Sequence, residues 1–296
     1  MYFDASYKVG QEPTKNLPIP TSLSYLQPTS SSHLLSMFFN KSVTFLALCL
    51  TFWGASAVPL GTTSPASSLE RRARATLYTK CTKANTVALT FDDGPWIYMN
   101  DIVNTLDAAG AKATFFFNGL NWGCIYDTDR ANGVKYAYDH GHQVASHTWA
   151  HKNLATLTWD QIHDEMWRVE QALVKITGAY PAFMRPPYGS YNDLVLDASG
   201  VRGQGVVIWD FDSGDSSGAS ATTSKNSYNN IANNHPSTIL TLNHETYEQT
   251  AHNVLPYAVQ RLKSAGYNLV TVAECLGKPA YQSIAAPQTR DSTWKC

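Results

Sequence analysis

The chain has 296 residues, 44% of them hydrophobic and 15% charged. That is enough apolar material for one large packed domain, and too little charge for a disordered or coiled-coil protein. The formal net charge is −1, and residues 75–296 alone hold 16 basic against 20 acidic residues, which argues against a nucleic-acid or anionic-membrane partner.

Residues 1–36 are rich in Pro, Ser and Thr with no sustained period and read as a non-structured upstream extension. Met37 then opens a second candidate start: Lys41, an apolar run from Val43 to Trp53, and Ala55-Ser56-Ala57. Residues 37–57 have the form of a signal peptide cleaved after Ala57. The apolar run is shorter than the roughly 20 residues a membrane span needs. The protein is therefore expected to be secreted with no stable span, the alternative being a signal anchor. Residues 58–74 form a Ser/Pro-rich linker or propeptide that ends in Arg71-Arg72-Ala73-Arg74, a cluster suited to a processing protease.

From residue 75 onward strands and helices alternate. A β-rich run at Thr86–Phe91 precedes a helical pattern at Ile97–Ala109, and Ala113–Phe117 precedes a helix near Ala131–Asp139. Gln143–Ser146 is followed by the longest helix, Trp159–Ile176, with Thr158 and Gln161 in capping-box spacing. Strands at Ala182–Arg185, Gly205–Phe211, Thr238–Leu242 and Asn268–Val272 alternate with helices at Asn192–Ser199, Asn226–Asn233 and Val254–Ala265. Seven β segments joined by helical crossovers imply an α/β fold with a parallel sheet, open or closed into a barrel, over residues 75–296.

The chemically distinctive residues fall at strand C-terminal ends: Asp92 and Asp93, His147 and His151, Arg185, Asp212 and Asp215, then His244. In a parallel barrel those ends share one face, where α/β active sites are built. Asp93, His147 and His151 make a facial ligand set for one divalent ion of the zinc class. The i, i+4 spacing of His147 and His151 would put both rings on one side of a helical turn, about 6 Å apart at Cβ. With Asp93 ligating, Asp92 is free to act as general base on water. His140 and His142, flanking Gly141, read as structural. Asp210 reads as solvated, and Asp212 as a residue that could orient a neighbour. Trp122, Trp149 and Tyr191 could stack on sugar rings, although packing is the commoner role of such side chains.

Thr90–Pro95, Ser146–His151, Arg185-Pro186-Pro187-Tyr188-Gly189, Asp212–Asp215 and Leu242-Asn243-His244 resemble, in order, the five motifs of the NodB-type polysaccharide deacetylases, carbohydrate esterase family 4. Within that family the flanking segments Leu77–Lys83 and Thr271–Gly277 look most like the fungal chitin deacetylases. The resemblance implies a distorted (β/α)7 barrel, with Asp92 as base, Asp93, His147 and His151 as metal ligands and His244 as acid. It also implies Arg185 holding Asp92, Asp215 holding His244, the Tyr188 N–H at the oxyanion, and Leu242 against the acetyl methyl. The fourth motif of the family ends in an aromatic residue where this chain has Ser216, so Trp209 or a loop residue must supply that wall.

Five cysteines include Cys49 in the apolar run; the other four form no CxxC pair and suit two disulfides in an oxidising compartment. Of the three possible connectivities, the resemblance favours Cys81 with Cys275, which leaves Cys124 with Cys296. The implied activity is removal of N-acetyl groups from β-1,4-linked N-acetylglucosamine polymers, chitin or its oligosaccharides, by a monomeric enzyme. One divalent ion is expected, zinc first, with cobalt, manganese, iron or nickel also suited to the donors. An acetylxylan esterase or a peptidoglycan deacetylase on the same scaffold is the alternative. A catalytically silent glycan-binding protein is disfavoured, because every ligand and the base are present.

Overall fold

The computed structural model describes residues 74–296; the extension, the signal peptide and all but the last residue of the linker lie outside the described residues. Arg74, assigned to the linker from sequence, belongs to the domain. Its guanidinium pairs with Asp193 and Asp197 at 2.8 Å each, and the Ala75 N–H donates to the Leu196 carbonyl.

In chain order the elements are β1 (Leu77–Tyr78), β2 (Thr86–Ala88), β3 (Thr90–Asp92), α1 (Met99–Ala108), β4 (Thr114–Phe117), α2 (Thr128–Asp139), β5 (Gln143–Ser146) and α3 (Trp159–Thr177). Then come β6 (Ala179–Pro181), β7 (Phe183–Met184), α4 (Asp193–Val201), β8 (Gly205–Val207), β9 (Phe211–Asp212), α5 (Ala221–Asn234), β10 (Thr238–His244), α6 (Leu255–Ser264), β11 (Asn268–Val270), α7 (Val272–Leu276) and β12 (Tyr281–Ile284). The long β10 binds both halves of the first strand, β2 at Thr238–Leu240 and β3 at Asn243–His244, and also β9 at Thr241–Leu242. Because β9 continues the path of β8, the parallel order β3–β4–β5–β7–β8 returns to β10 and closes on itself, with β11 inserted beside β2. This is the distorted seven-stranded barrel.

Period-two alternation sorts the side chains. Phe91, Phe115 and Phe117 stack on one another and pack outward on Ile102, Val103 and Leu106 of α1 and Leu173 of α3. Between them Phe116 points the other way, into an interior shared with Ala88, Ala145, Val207 and Leu240. The short α7 plugs the N-terminal end of that interior, and its Cys275 forms a disulfide with Cys81.

Several element boundaries move. The first strand breaks at Leu89, and the fifth breaks between Val207 and Phe211, where Asp210 turns its carboxylate onto the Leu240 N–H at 2.7 Å. Asp210 is thus tied to the barrel rather than simply solvated. Helices α2 and α5 start at Thr128 and Ala221, earlier than expected. An antiparallel pair, β6 with β12, closes the outside of α3. After β12 the tail runs along α3: Ala285 bonds Gly178, Thr293 bonds Lys175, Trp294 packs on Tyr126, and Cys296 joins Cys124. Among the described residues no helix is long and apolar enough to cross a membrane.

Candidate active site

Strand β3 delivers Asp92 to the C-terminal mouth of the barrel, 2% exposed. Its Oδ1 accepts a hydrogen bond from Arg185 at 2.8 Å. Arg185 is wholly buried, and its remaining N–H groups are satisfied by Thr90 Oγ1 and the carbonyls of Val207, Ile208 and Thr241, while its plane lies 4.4 Å from the Phe116 ring. A cation held this fully by the barrel wall fixes the direction of its partner carboxylate. The other Asp92 oxygen faces Nε2 of His147 at 3.8 Å.

Asp93 turns the chain with a left-handed φ of 75°, which aims its carboxylate away from that of Asp92. Its Oδ1 is buried without a hydrogen-bond partner, and Nε2 of His151 and of His147 stand 3.2 and 3.6 Å from it. His147 donates Nδ1–H to the Arg185 carbonyl at 2.7 Å, leaving Nε2 as a lone pair turned toward Asp93. Burial depresses the His147 pKa below the ordinary imidazole value. For Asp93, burial opposes ionisation, but the neighbouring His151 and His147 rings bring it down to about 2. One ligand atom from each of Asp93, His147 and His151 lies within 4.8 Å of the others. A buried carboxylate oxygen without a hydrogen-bond partner, facing two imidazole nitrogens, is a donor set that a divalent cation fits.

The two histidines do not share a helical turn, contrary to the expectation from their spacing. They sit in an irregular loop after β5 in which Thr148 and His151 both take left-handed φ, 71° and 52°. The ring centroids are 5.0 Å apart, so a folded-back loop achieves what one helix face was expected to provide.

Across the mouth, His244 ends β10. Its Nδ1–H donates to Asp215 Oδ1 at 2.8 Å, while Asp215 Oδ2 accepts the His244 N–H at 2.7 Å and the Thr250 hydroxyl at 2.8 Å. Burial alone would lower the imidazole pKa, but the bond and charge of Asp215, with Asp92 and Asp93 behind, raise it to about 9. Tyr188 holds a left-handed φ of 62° in the turn after Arg185, and its exposed ring meets that of His151 at 4.7 Å. Leu242, 5% exposed, lies two residues before His244. Ser216 is exposed. Half-buried Trp209 instead lies beside Arg185, 5.6 Å from its guanidinium, and against Gly189, where an added Cβ would come within 2.8 Å of the ring.

Other candidates separate from this group. His140 and His142 both face Asp107, which Lys112 also binds. Asp212 accepts the Gly214 N–H and so shapes its own turn. Trp149 is buried, with Arg168 over its ring. Trp122 is 44% exposed and joins an aromatic line through Tyr247, 6.4 Å away, to His244; Tyr191 is also exposed. Sequence reasoning missed Glu245, which is fully buried and accepts the Trp96 N–H, and which occupies the space a Gly94 side chain would need. An acid directly after His244 in an apolar strand was its one signal. Asn118 was missed too: its amide binds the carbonyls of His147 and Thr148.

The polysaccharide deacetylase family profile matches residues 79–207. A chitin deacetylase of Pestalotiopsis sp is 41% identical over 68% of this chain and 67% of its own length. A chitin deacetylase of Colletotrichum lindemuthianum is 34% identical over 77% of this chain and 95% of its own length. The chain belongs to the polysaccharide deacetylase family. The solved structure of the chitin deacetylase from Colletotrichum lindemuthianum superposes with a TM-score of 0.68 at 31% identity, covering 73% of this chain and 98% of that one. A family 4 carbohydrate esterase from Streptomyces lividans in complex with acetate superposes at 28% identity and a TM-score of 0.56, covering 70% of this chain and all of that one. This polysaccharide deacetylase is thus a hydrolase of a divalent-metal family, with Asp93, His147 and His151 as its one candidate metal cluster among the described residues.

Proposed function

We propose that the protein is a secreted, zinc-dependent deacetylase that hydrolyses the N-acetyl groups of chitin or chitin oligosaccharides. The observation that carries the reading is the convergence, in one barrel mouth, of the Asp93–His147–His151 donor set with two ion pairs, Arg185–Asp92 and Asp215–His244. An amide nitrogen leaves only when protonated, so amide hydrolysis needs a base and a separate acid. Those two pairs supply them.

Asp93, His147 and His151 hold the ion, which when bound polarises the acetamide carbonyl and acidifies water. Asp92, held in place by Arg185, takes one proton from the attacking water as its oxygen joins the carbonyl carbon. His244, kept cationic by Asp215, gives a proton to the nitrogen as the C–N bond breaks, releasing acetate and a free amine on the sugar. The Tyr188 N–H steadies the oxyanion. Leu242 and Trp209 provide apolar walls for the methyl group, with Trp209 in the role left vacant by Ser216. Trp122 and Tyr247 offer ring faces to neighbouring sugars.

Two disulfides fit an oxidising, extracellular location. The deciding experiment measures acetate release from chitin oligomers and from acetylxylan in parallel, before and after chelation and zinc restoration. Chelator-sensitive release from chitin oligomers is expected. Release confined to acetylxylan would move the function to an esterase.

A further inference from the structure

The loop that carries His147 and His151 has an unfavourable backbone. Thr148, a β-branched residue, and His151 both take left-handed φ, a region that non-glycine residues occupy only when their surroundings enforce it. On its inner side the enforcement comes from the segment at the end of β4: the Asn118 amide and the N–H groups of Gly119 and Leu120 bind the carbonyls of His147, Thr148 and Trp149. On its outer side it comes from α3.

The α3 contact is made by Glu165, a carboxylate only 1% exposed on the helix face that otherwise buries Ile162, Met166 and Val169. An apolar side chain would pack there without desolvating a charge, so helix packing does not account for this residue. Its partners do. Oε2 accepts the Ala150 N–H at 2.7 Å, and Oε1 lies 2.9 Å from the Lys152 ammonium. The two contacts bracket His151, one residue before it and one after. One turn on, Arg168 lies 4.1 Å from the Trp149 ring centroid.

We infer that Glu165 is a positioning residue for the metal site: by accepting the Ala150 N–H from α3, with the Lys152 ammonium as an ion-pair partner, it holds His151 in the left-handed turn that directs Nε2 at Asp93 Oδ1. The inference rests on the reading of Asp93, His147 and His151 as ligands. Glu165 touches neither substrate nor ion, and acts by keeping a ligand in place before the ion arrives, the role that outer-sphere partners of metal-binding histidines commonly fill.

The test is the zinc dissociation constant of the full chain, measured by competition with a chelator on metal-stripped protein, for the parent, Glu165→Leu, Glu165→Gln and His151→Ala. Near-ultraviolet circular dichroism checks folding. Glu165→Leu should weaken zinc binding about tenfold to hundredfold while the fold persists, and acetate release should recover when zinc is raised above the new dissociation constant. Glu165→Gln keeps an acceptor for Ala150 but a weaker, neutral one, and should lose roughly fivefold. It carries the test alone if the leucine variant does not fold. Parental zinc affinity in the folded variants, with His151→Ala still weakened, overturns the inference alone. A parent chain that takes up no zinc overturns it together with the ligand assignment.

Discussion

Replacing Asp215 by Asn should convert a working acid into a failing one in a manner that depends on pH. The His244 pKa stands at about 9 against an ordinary 6.5. The Asp215 carboxylate is the first of the groups that raise it, and burial, the remaining large influence, pulls downward. Without that carboxylate, burial pulls the imidazole back to its ordinary value of about 6.5, against the smaller upward pull of Asp92 and Asp93. At pH 8 the protonated fraction then falls from roughly nine tenths to a few per cent, about a thirtyfold loss of active acid, whereas at pH 6 the loss is less than about twofold. The assay is kcat/KM for a soluble chitin oligomer from pH 5 to 10, with the alkaline limb expected to move acidward by about two and a half units. The same pair bears on stability: a raised histidine pKa contributes fully below about 6.5 and is lost as pH rises through about 9. The metal-free parent should therefore lose up to about 3 kcal/mol across that window, and Asp215→Asn much less. A variant profile that is a scaled copy of the parent's, with the alkaline limb unmoved, would refute the argument.

Two further predictions concern the ligands and the frame. Asp92→Asn should abolish acetate release while zinc content stays near one per chain, whereas His147→Ala should lose both; metal analysis beside the activity assay separates them, and full activity in either variant defeats the roles assigned here. Cys81→Ser, opening a disulfide that spans 194 residues, should cost about 5 kcal/mol on a loop-entropy basis, visible as a lower denaturant midpoint. An unchanged midpoint would mean that α7 holds its plug without the covalent tie.

How much of the fold and the site is legible in the sequence depends on whether a residue's role is local. The capping box of Thr158 and Gln161 is a four-residue signal and forms as written. Strand ends are legible because an apolar run that stops at Asp92 or His244 marks the barrel rim. The spacing of His147 and His151 misleads because i, i+4 brings rings together in a helix and also in a loop reversed by two left-handed residues, and Thr148 carries no sign of that conformation. The closure through β9 and β10 and the β6–β12 pair are invisible because strands of two to four residues, some exposed, lack a readable period. Glu165 and Glu245 look like surface acids in the sequence; only the packing of α3 and of the Gly94 turn buries them.

The tail after β12 ends on Cys124, in the loop that also presents Trp122 to the barrel mouth. A segment joined after Cys296 would therefore emerge beside the barrel mouth. A polymer-binding module fused there would deliver substrate to the catalytic mouth over a short tether, and a bulky purification tag would obstruct it. Reducing agents in the assay buffer would release the same end and leave the Trp122 loop less firmly anchored, so comparisons of chain-length preference should be made on oxidised protein.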